Sequence, residues 1–203
     1  MFGASFWSYN LISNEAIIAI HWDVSGEADR YVSKRVGLFF PPFLAIFFVL
    51  VLSILAHLEP RSDNLKKSRK ALTAVITVSV VTITILHLTQ LLSLTGYDIN
   101  TPQIVLILMG GMLIVVGNYM GKTRSNYLIG FRTPWSLSSE ESWNKTHRVG
   151  GVLFFIVGLI TIISSFILMP KQTGYILATG LISSVIYISI YSWFVWRKDP
   201  NKK

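Results

Sequence analysis

Five stretches of about twenty largely apolar positions run along the chain, at 37–58, 71–94, 102–120, 149–168 and 175–196, with polar loops between them. A bilayer core of about 30 Å takes roughly 20 helical residues to cross. Each stretch therefore predicts a transmembrane helix. The predicted fold class is all-α: a polytopic helix bundle of five full spans, preceded by a shorter apolar segment at 1–12. That segment reaches only about 18 Å as a helix and cannot cross alone. It lacks the basic start of a secretory signal. It reads as the remnant of a truncated first span, with a half-helix packed on the bundle as the alternative. Three units follow: the partial span and an outward loop over 1–36, a two-helix hairpin over 37–94, and a three-helix unit over 95–203 with a long loop at 121–149.

The spans carry internal pattern. In the second, Thr73, Thr77, Thr84 and His87 recur at helical spacing, with Thr82, Thr89 and Ser93 beside them. A polar stripe in a span is expected to face the bundle interior. Thr84, His87 and Gln90 are its candidate functional groups. Gly117 and Gly121 form a G-x-x-x-G step, and Gly180 and Ser184 repeat the spacing, which predicts close helix packing. Pro41 and Pro42 read as a start signal in the first turn of the first full span.

Composition supports the membrane reading. Hydrophobic residues make up 52% of the 203 and charged residues only 14%, against about a quarter charged in soluble domains. There is no cysteine, which excludes disulfides and thiolate chemistry. The formal charge of +8 would suggest nucleic acid in a soluble chain. Here fourteen of the 18 Lys and Arg fall in the loops 59–70 and 121–148 and in the tail. Loop 95–101 has none and loop 169–174 has Lys171 alone. The positive-inside bias then places the rich side, including the C-terminus, in the cytoplasm. The charge is read as topology, with no direct nucleic-acid partner.

Two loops carry chemistry. The outward one holds His21, Trp22, Asp23, Gly26, Glu27, Asp29 and Lys34. An acidic start followed by Arg30, Lys34 and Arg35 favours a folded hairpin over the outer end of the bundle, steadied by Trp22 and Tyr31, or a peptide-binding face. His21, Asp23, Glu27 and His87 are weak metal candidates, since one imidazole plus carboxylates lacks a second strong ligand. No cofactor is expected. The inner loop holds Arg132, Thr133, Pro134 and Trp135 in a row. Pro134 pushes Thr133 to extended backbone, and Arg132 could set a guanidinium on a carboxylate, a phosphate or an aromatic face. Ser138 or Ser139 reads as the N-cap of a helix carrying Trp143, Thr146 and His147, with Trp143 and His147 on one face. Trp135 and Trp143 are also expected as interfacial anchors.

The run from Asn126 through Gly130, Arg132, Thr133, Pro134 and Trp135, followed by Trp143, Thr146 and His147, resembles the signature loop of the SdpI immunity-protein family. His21-Trp22, Gly26-Glu27, Asp29-Arg30 and Ser33-Lys34 resemble the DUF1648 element that precedes it in many members, and Gly96 to Asn100 is also similar. Members usually begin with a complete span before the His-Trp element, and this sequence departs there. The resemblance implies a bacterial plasma-membrane protein giving resistance to a secreted, membrane-active antimicrobial peptide toxin. It also implies signalling by holding a cytoplasmic transcriptional repressor at the membrane. By the expected topology, the helices ending at Met120 and starting at Val149 flank the inner loop and are the natural transmitters. The lipid bilayer is the remaining partner.

Two other classes stay open. One is a membrane-embedded metal-dependent enzyme acting on the peptide, although neither H-E-x-x-H nor G-x-S-x-G occurs. The other is a small transporter or lipid-binding scaffold, which the polar stripes suit but which the lack of acidic residues in the spans disfavours.

Overall fold

A computed structural model describes residues 1–23 and 27–202. The elements follow in the order α1 (Phe2–Leu11), β1 (Ile17–Trp22), β2 (Ala28–Ser33), α2 (Lys34–His57), α3 (Ser62–Lys67), α4 (Arg69–Leu94), α5 (Thr101–Met120), α6 (Pro134–Leu137), α7 (Glu140–Ile167) and α8 (Pro170–Lys198). The helices α2, α4, α5, α7 and α8 are long and apolar enough to cross a membrane. They coincide with the five expected spans. Their outward faces carry large exposed apolar side chains, among them Phe47, Ile54, Ile163, Ile182 and Ile190. In water such a surface would be a severe liability; against lipid it is the solvated state.

Local signals explain the helix starts. Asn100 caps α5, accepting from Gln103 N, and Pro102 sits in the first turn where a missing N–H costs nothing. Ser139 caps α7 by accepting from Ser142 N at 2.9 Å. That helix does not pause at the membrane surface: it runs 28 residues from Glu140 into the span, about 42 Å of continuous rod.

Pro41 and Pro42 prove to be interior to α2, because the helix starts at Lys34, well before the expected first turn. Proline at 42 leaves the Leu38 carbonyl without its helical donor. The Ser5 hydroxyl from α1 takes that carbonyl at 2.7 Å. With its proton committed there, Ser5 Oγ accepts from His87 Nε2 at 3.0 Å. The segment 1–12 thus forms a short helix docked on α2 and α4.

Packing concentrates at three levels. Ile18, Leu38 and Leu91 form a cluster at the β1–β2 end. Leu106, Leu113, Val157 and Leu177 fill the middle between α5, α7 and α8. Leu65, Ala71 and Ile129 close the opposite end. The closest approach in the bundle is the antiparallel α5–α7 seam. A Cβ built on Gly110 would meet Gly158 O at 2.7 Å, and one on Gly151 would meet Gly117 O at 2.6 Å. The working small-residue pairs are therefore Gly110 with Gly158 and Gly117 with Gly151, across two helices, rather than the step to Gly121. Gln103 Nε2 ties the same seam to Ser165 O at 2.8 Å.

The polar stripe of α4 corrects its expectation. His87, Thr82 and Thr89 are buried, but Thr73 and Thr77 are exposed on the outer face of the bundle. Threonine is mildly polar, so spacing alone could not decide which turn faced inward.

Candidate functional site

The chemistry-bearing residues fall at the two ends of the bundle. At one end β1 and β2 pair antiparallel, with Ile18 opposite Val32, Ala19 opposite Tyr31 and Trp22 opposite Ala28. The register slips at His21, so a bulge re-aims the strand end. Ile18 packs on the bundle, and past the bulge Ile20 and Trp22 line the cavities beneath the hairpin. Ile18 is 1% exposed and sits in the cluster with Leu38 and Leu91. Gln90 Nε2 donates to the Ala19 carbonyl at 2.8 Å. Lys34 is buried: its ammonium donates to Ile12 O at 2.7 Å and to Asn14 Oδ1 at 3.0 Å, and lies 4.1 Å over the Tyr9 ring. The hairpin is thus held by Ile18, Gln90 and Lys34. Tyr31, expected to steady it, is exposed.

His21 Nδ1 lies 2.6 Å from Asp29 Oδ1, both well exposed. Asp23 and Glu27 close the turn through the backbone: Asp23 N donates to Glu27 O at 2.9 Å, and Glu27 N to Asp23 Oδ1 at 3.1 Å. Gly26 lies outside the described residues. His21, Asp23, Glu27 and His87 do not assemble: His87 is turned to Ser5 inside the bundle, and no group of three potential metal ligands occurs among the described residues. Thr84 turns its hydroxyl back to Val80 O at 2.8 Å.

Beneath the hairpin lie two cavities. One, about 460 Å³, opens between α4, α5 and α8 under Ile20 and Trp22, with Met109, Leu177 and Leu181 as apolar wall and His21 and Asp23 at its edge. The second, about 180 Å³, is lined by Trp22, Pro41, Leu86, His87, Gln90 and Thr101 among others. His87 Nδ1 is buried there without a partner among the described residues.

At the other end the loop after α5 folds back onto α7. Asn126, fully buried, accepts from Leu128 N and Ile129 N at 2.9 and 2.8 Å and donates to Arg124 O at 2.7 Å. Gly130 turns the chain at φ +122°. A Cβ there would collide with His147 Nε2. Phe131 N donates to that same nitrogen at 2.8 Å, while His147 Nδ1 lies 2.8 Å from Trp143 O. The ring is therefore the neutral Nδ1–H form, and Trp143 stacks on it at 3.8 Å. Trp143 is 1% exposed and donates to Thr123 O at 3.0 Å. It is an internal pillar rather than the interfacial anchor its type suggested. Thr133 caps the short α6 by accepting from Ser136 N at 3.0 Å and meets Ser192 Oγ at 2.9 Å. Pro134 opens α6, Trp135 is half-exposed, and Thr146 is fully buried with its hydroxyl unpartnered. Arg132 is exposed and donates to the Tyr127 carbonyl. It closes the loop on itself and meets no carboxylate among the described residues.

Sequence reasoning missed the partners of this loop in the α2–α4 connection. Glu59, 6% exposed, accepts from Tyr127 N at 3.1 Å with both oxygens. Arg61 donates to Ser125 Oγ, and to Leu137 O at 3.0 Å. Ser68 Oγ accepts from Arg124 N at 2.8 Å. Glu59 and Asp63 are the two acidic residues of a basic loop; Asp63 pairs locally with Lys66, which leaves Glu59 as the available signal. Ser139 also donates to Asp199 of the tail, and this bond, with that from Asn201 N, holds the Asp199 carboxyl below its usual range. A cleft of about 640 Å³ runs between Arg61 on one side and Glu140, Glu141 and Asp199 on the other.

Comparison with known proteins matches residues 122–192 to the model of the SdpI/YfhL protein family and residues 1–46 to that of DUF1648. Immunity protein SdpI of Bacillus subtilis (strain 168) is 30% identical over 149 residues, which cover 73% of this chain and 69% of that protein. The chain belongs to the SdpI/YfhL family. No solved structure matches it. The SdpI/YfhL match begins at Lys122 and takes in the whole folded-back loop, and the DUF1648 match includes α1 as well as the hairpin and most of the first turns of α2. With its five long apolar helices, this SdpI/YfhL member is a multi-pass membrane protein.

Proposed function

We propose that the protein is a membrane immunity protein that protects its bacterium from a secreted, membrane-active peptide. The hairpin end faces outward and engages the peptide, and the signature-loop end faces the cytoplasm and binds a transcriptional repressor. Similarity to a protein named for immunity supports the general role. The geometric observation that carries the sensing role is that α2 and α4 each touch both loops. At one end α2 supplies Leu38 beneath Ile18, and α4 supplies Gln90 to Ala19 O. At the other, Glu59 just beyond α2 binds Tyr127, and Ser68 just before α4 binds Arg124. A peptide wedged under Trp22 would bias the tilt of these two helices, and differential affinity for two tilts is what signalling requires. The apolar cavity with His21 and Asp23 at its edge suits an amphipathic, cationic segment.

The test pairs one variant from each end. Gln90→Leu should abolish survival under peptide challenge together with repressor capture. Glu59→Gln should abolish capture while leaving peptide binding to membranes intact. Equal membrane abundance of all forms is the control. If both variants protect and capture like the parent, α2 and α4 carry no signal.

A further inference from the structure

The exposed threonines of α4 border a feature that neither loop explains. A groove of about 900 Å³ runs along α4 and α5 at the signature-loop end, walled by Ala74, Val78, Val81, Val115 and Tyr119. Its mouth is ringed by Lys66, Lys67, Arg69 and Lys70, and its upper wall is set with Thr73 and Thr77. Lys66 pairs with Asp63 at 2.9 Å. The side chains of Lys67, Arg69 and Lys70 have no ion pair or hydrogen bond among the described residues, although Lys67 acts on Asp63 at longer range, and the Thr73 and Thr77 hydroxyls have no hydrogen bond there either. Threonines in spans ordinarily turn back to the carbonyl four residues earlier, as Thr84 and Thr161 do here. Thr73 and Thr77 do not, and unlike the buried Thr82 and Thr89 of the same helix they lie on a face turned away from the bundle, where an outside acceptor can reach them.

We propose that this groove is a binding site for one anionic phospholipid. Its phosphodiester sits among Lys67, Arg69 and Lys70. Thr73 and Thr77 donate to the phosphate or the ester oxygens just below. One acyl chain runs down the valine wall between α4 and α5. From Thr73 to Val81 the wall extends about 12 Å along the helix, so the cations stand at headgroup level when the valines are in the hydrocarbon. Basic pockets between spans recognise lipid headgroups in this way, each cation contributing near an anionic surface. A free phosphate has no use for the apolar wall, and a soluble acidic protein cannot reach it. Charge and wall together select a lipid. The site abuts α3 and Ser68, which bind the signature loop, so its occupancy steadies the α2–α4 connection.

The experiment is native mass spectrometry of the full chain in detergent, given equal phosphatidylglycerol and phosphatidylcholine. The parent should retain one phosphatidylglycerol. Arg69→Gln with Lys70→Gln should weaken retention roughly thirtyfold, the effect of two headgroup cations. Arg197→Gln with Lys198→Gln removes the same charge elsewhere and should leave retention unchanged. Thr73→Val with Thr77→Val alters no charge and should still reduce it severalfold. Equal loss in the two charge variants would reduce the site to diffuse attraction, and full retention by the valine pair would remove the hydroxyls; either result overturns the proposal. So would displacement by inorganic phosphate at matching concentration, or dimer peaks that vanish in the valine pair, which would make the occupant a phosphate or a second copy.

Discussion

Gly130 and His147 show how one contact shapes the signature loop. Positive φ and the lack of room for a Cβ coincide at Gly130 because the His147 ring occupies the space a side chain would need. That ring in turn receives Phe131 N, a backbone donor in a half-buried turn. Gly130→Ala is therefore expected to lower thermal stability and to expose Trp143, read as a red shift of tryptophan emission. His147→Ala should cost about 1–3 kcal/mol for the orphaned amide. An unchanged unfolding midpoint in either variant would mean the loop tolerates another turn. The sequence did place Trp143 and His147 on one face, because i and i+4 positions stack in any helix. It could not show that the face is internal, since that depends on a loop folding back across twenty residues to Thr123 O.

The hairpin separates what holds an element from what decorates it. Ile18 lies in a packed cluster, whereas the His21–Asp29 pair is more than a third exposed on both sides. Ile18→Ala should cost about 2–5 kcal/mol, and hydrogen exchange should rise across β1 and β2 alone. Asp29→Asn should change stability by no more than about 1 kcal/mol. If the two variants exchange alike, the charges hold the hairpin after all. Helix elements were legible wherever a local signal was read: the apolar runs of the spans and the serine cap at 138 or 139, of which the structure uses Ser139. The Gly110–Gly158 and Gly117–Gly151 contacts were not, because an antiparallel seam pairs glycines more than thirty residues apart that no local step links. The prolines of α2 misled for a related reason: the acceptor they orphan is satisfied from α1, a distant segment.

Across the whole molecule, the basic loops and the tail gather at one end, bound to each other through Arg61, Ser125, Ser139 and Asp199. The hairpin and the 95–101 loop lie at the other. Under the positive-inside bias, a reporter fused after residue 203 should be active only in the cytoplasm, and one inserted in 95–101 only outside. The reverse pattern would exchange peptide and repressor between the two ends. The charge bias supplies the side assignment as an expectation, and the grouping of loops is what the structure adds. The candidate metal set dissolved at this scale, because His87 is drawn to Ser5 by a packing relation that residue type does not announce.

The α5–α7 seam divides the bundle mechanically. Where two backbones touch at Gly110 and Gly158 and again at Gly117 and Gly151, no side chains lie between them to slide or rotate. The two helices that flank the inner loop are thus expected to move as one body rather than as separate transmitters. Cross-linking them should be silent, whereas a staple between α4 and α5, in this cysteine-free chain, should freeze whatever passes from one membrane face to the other.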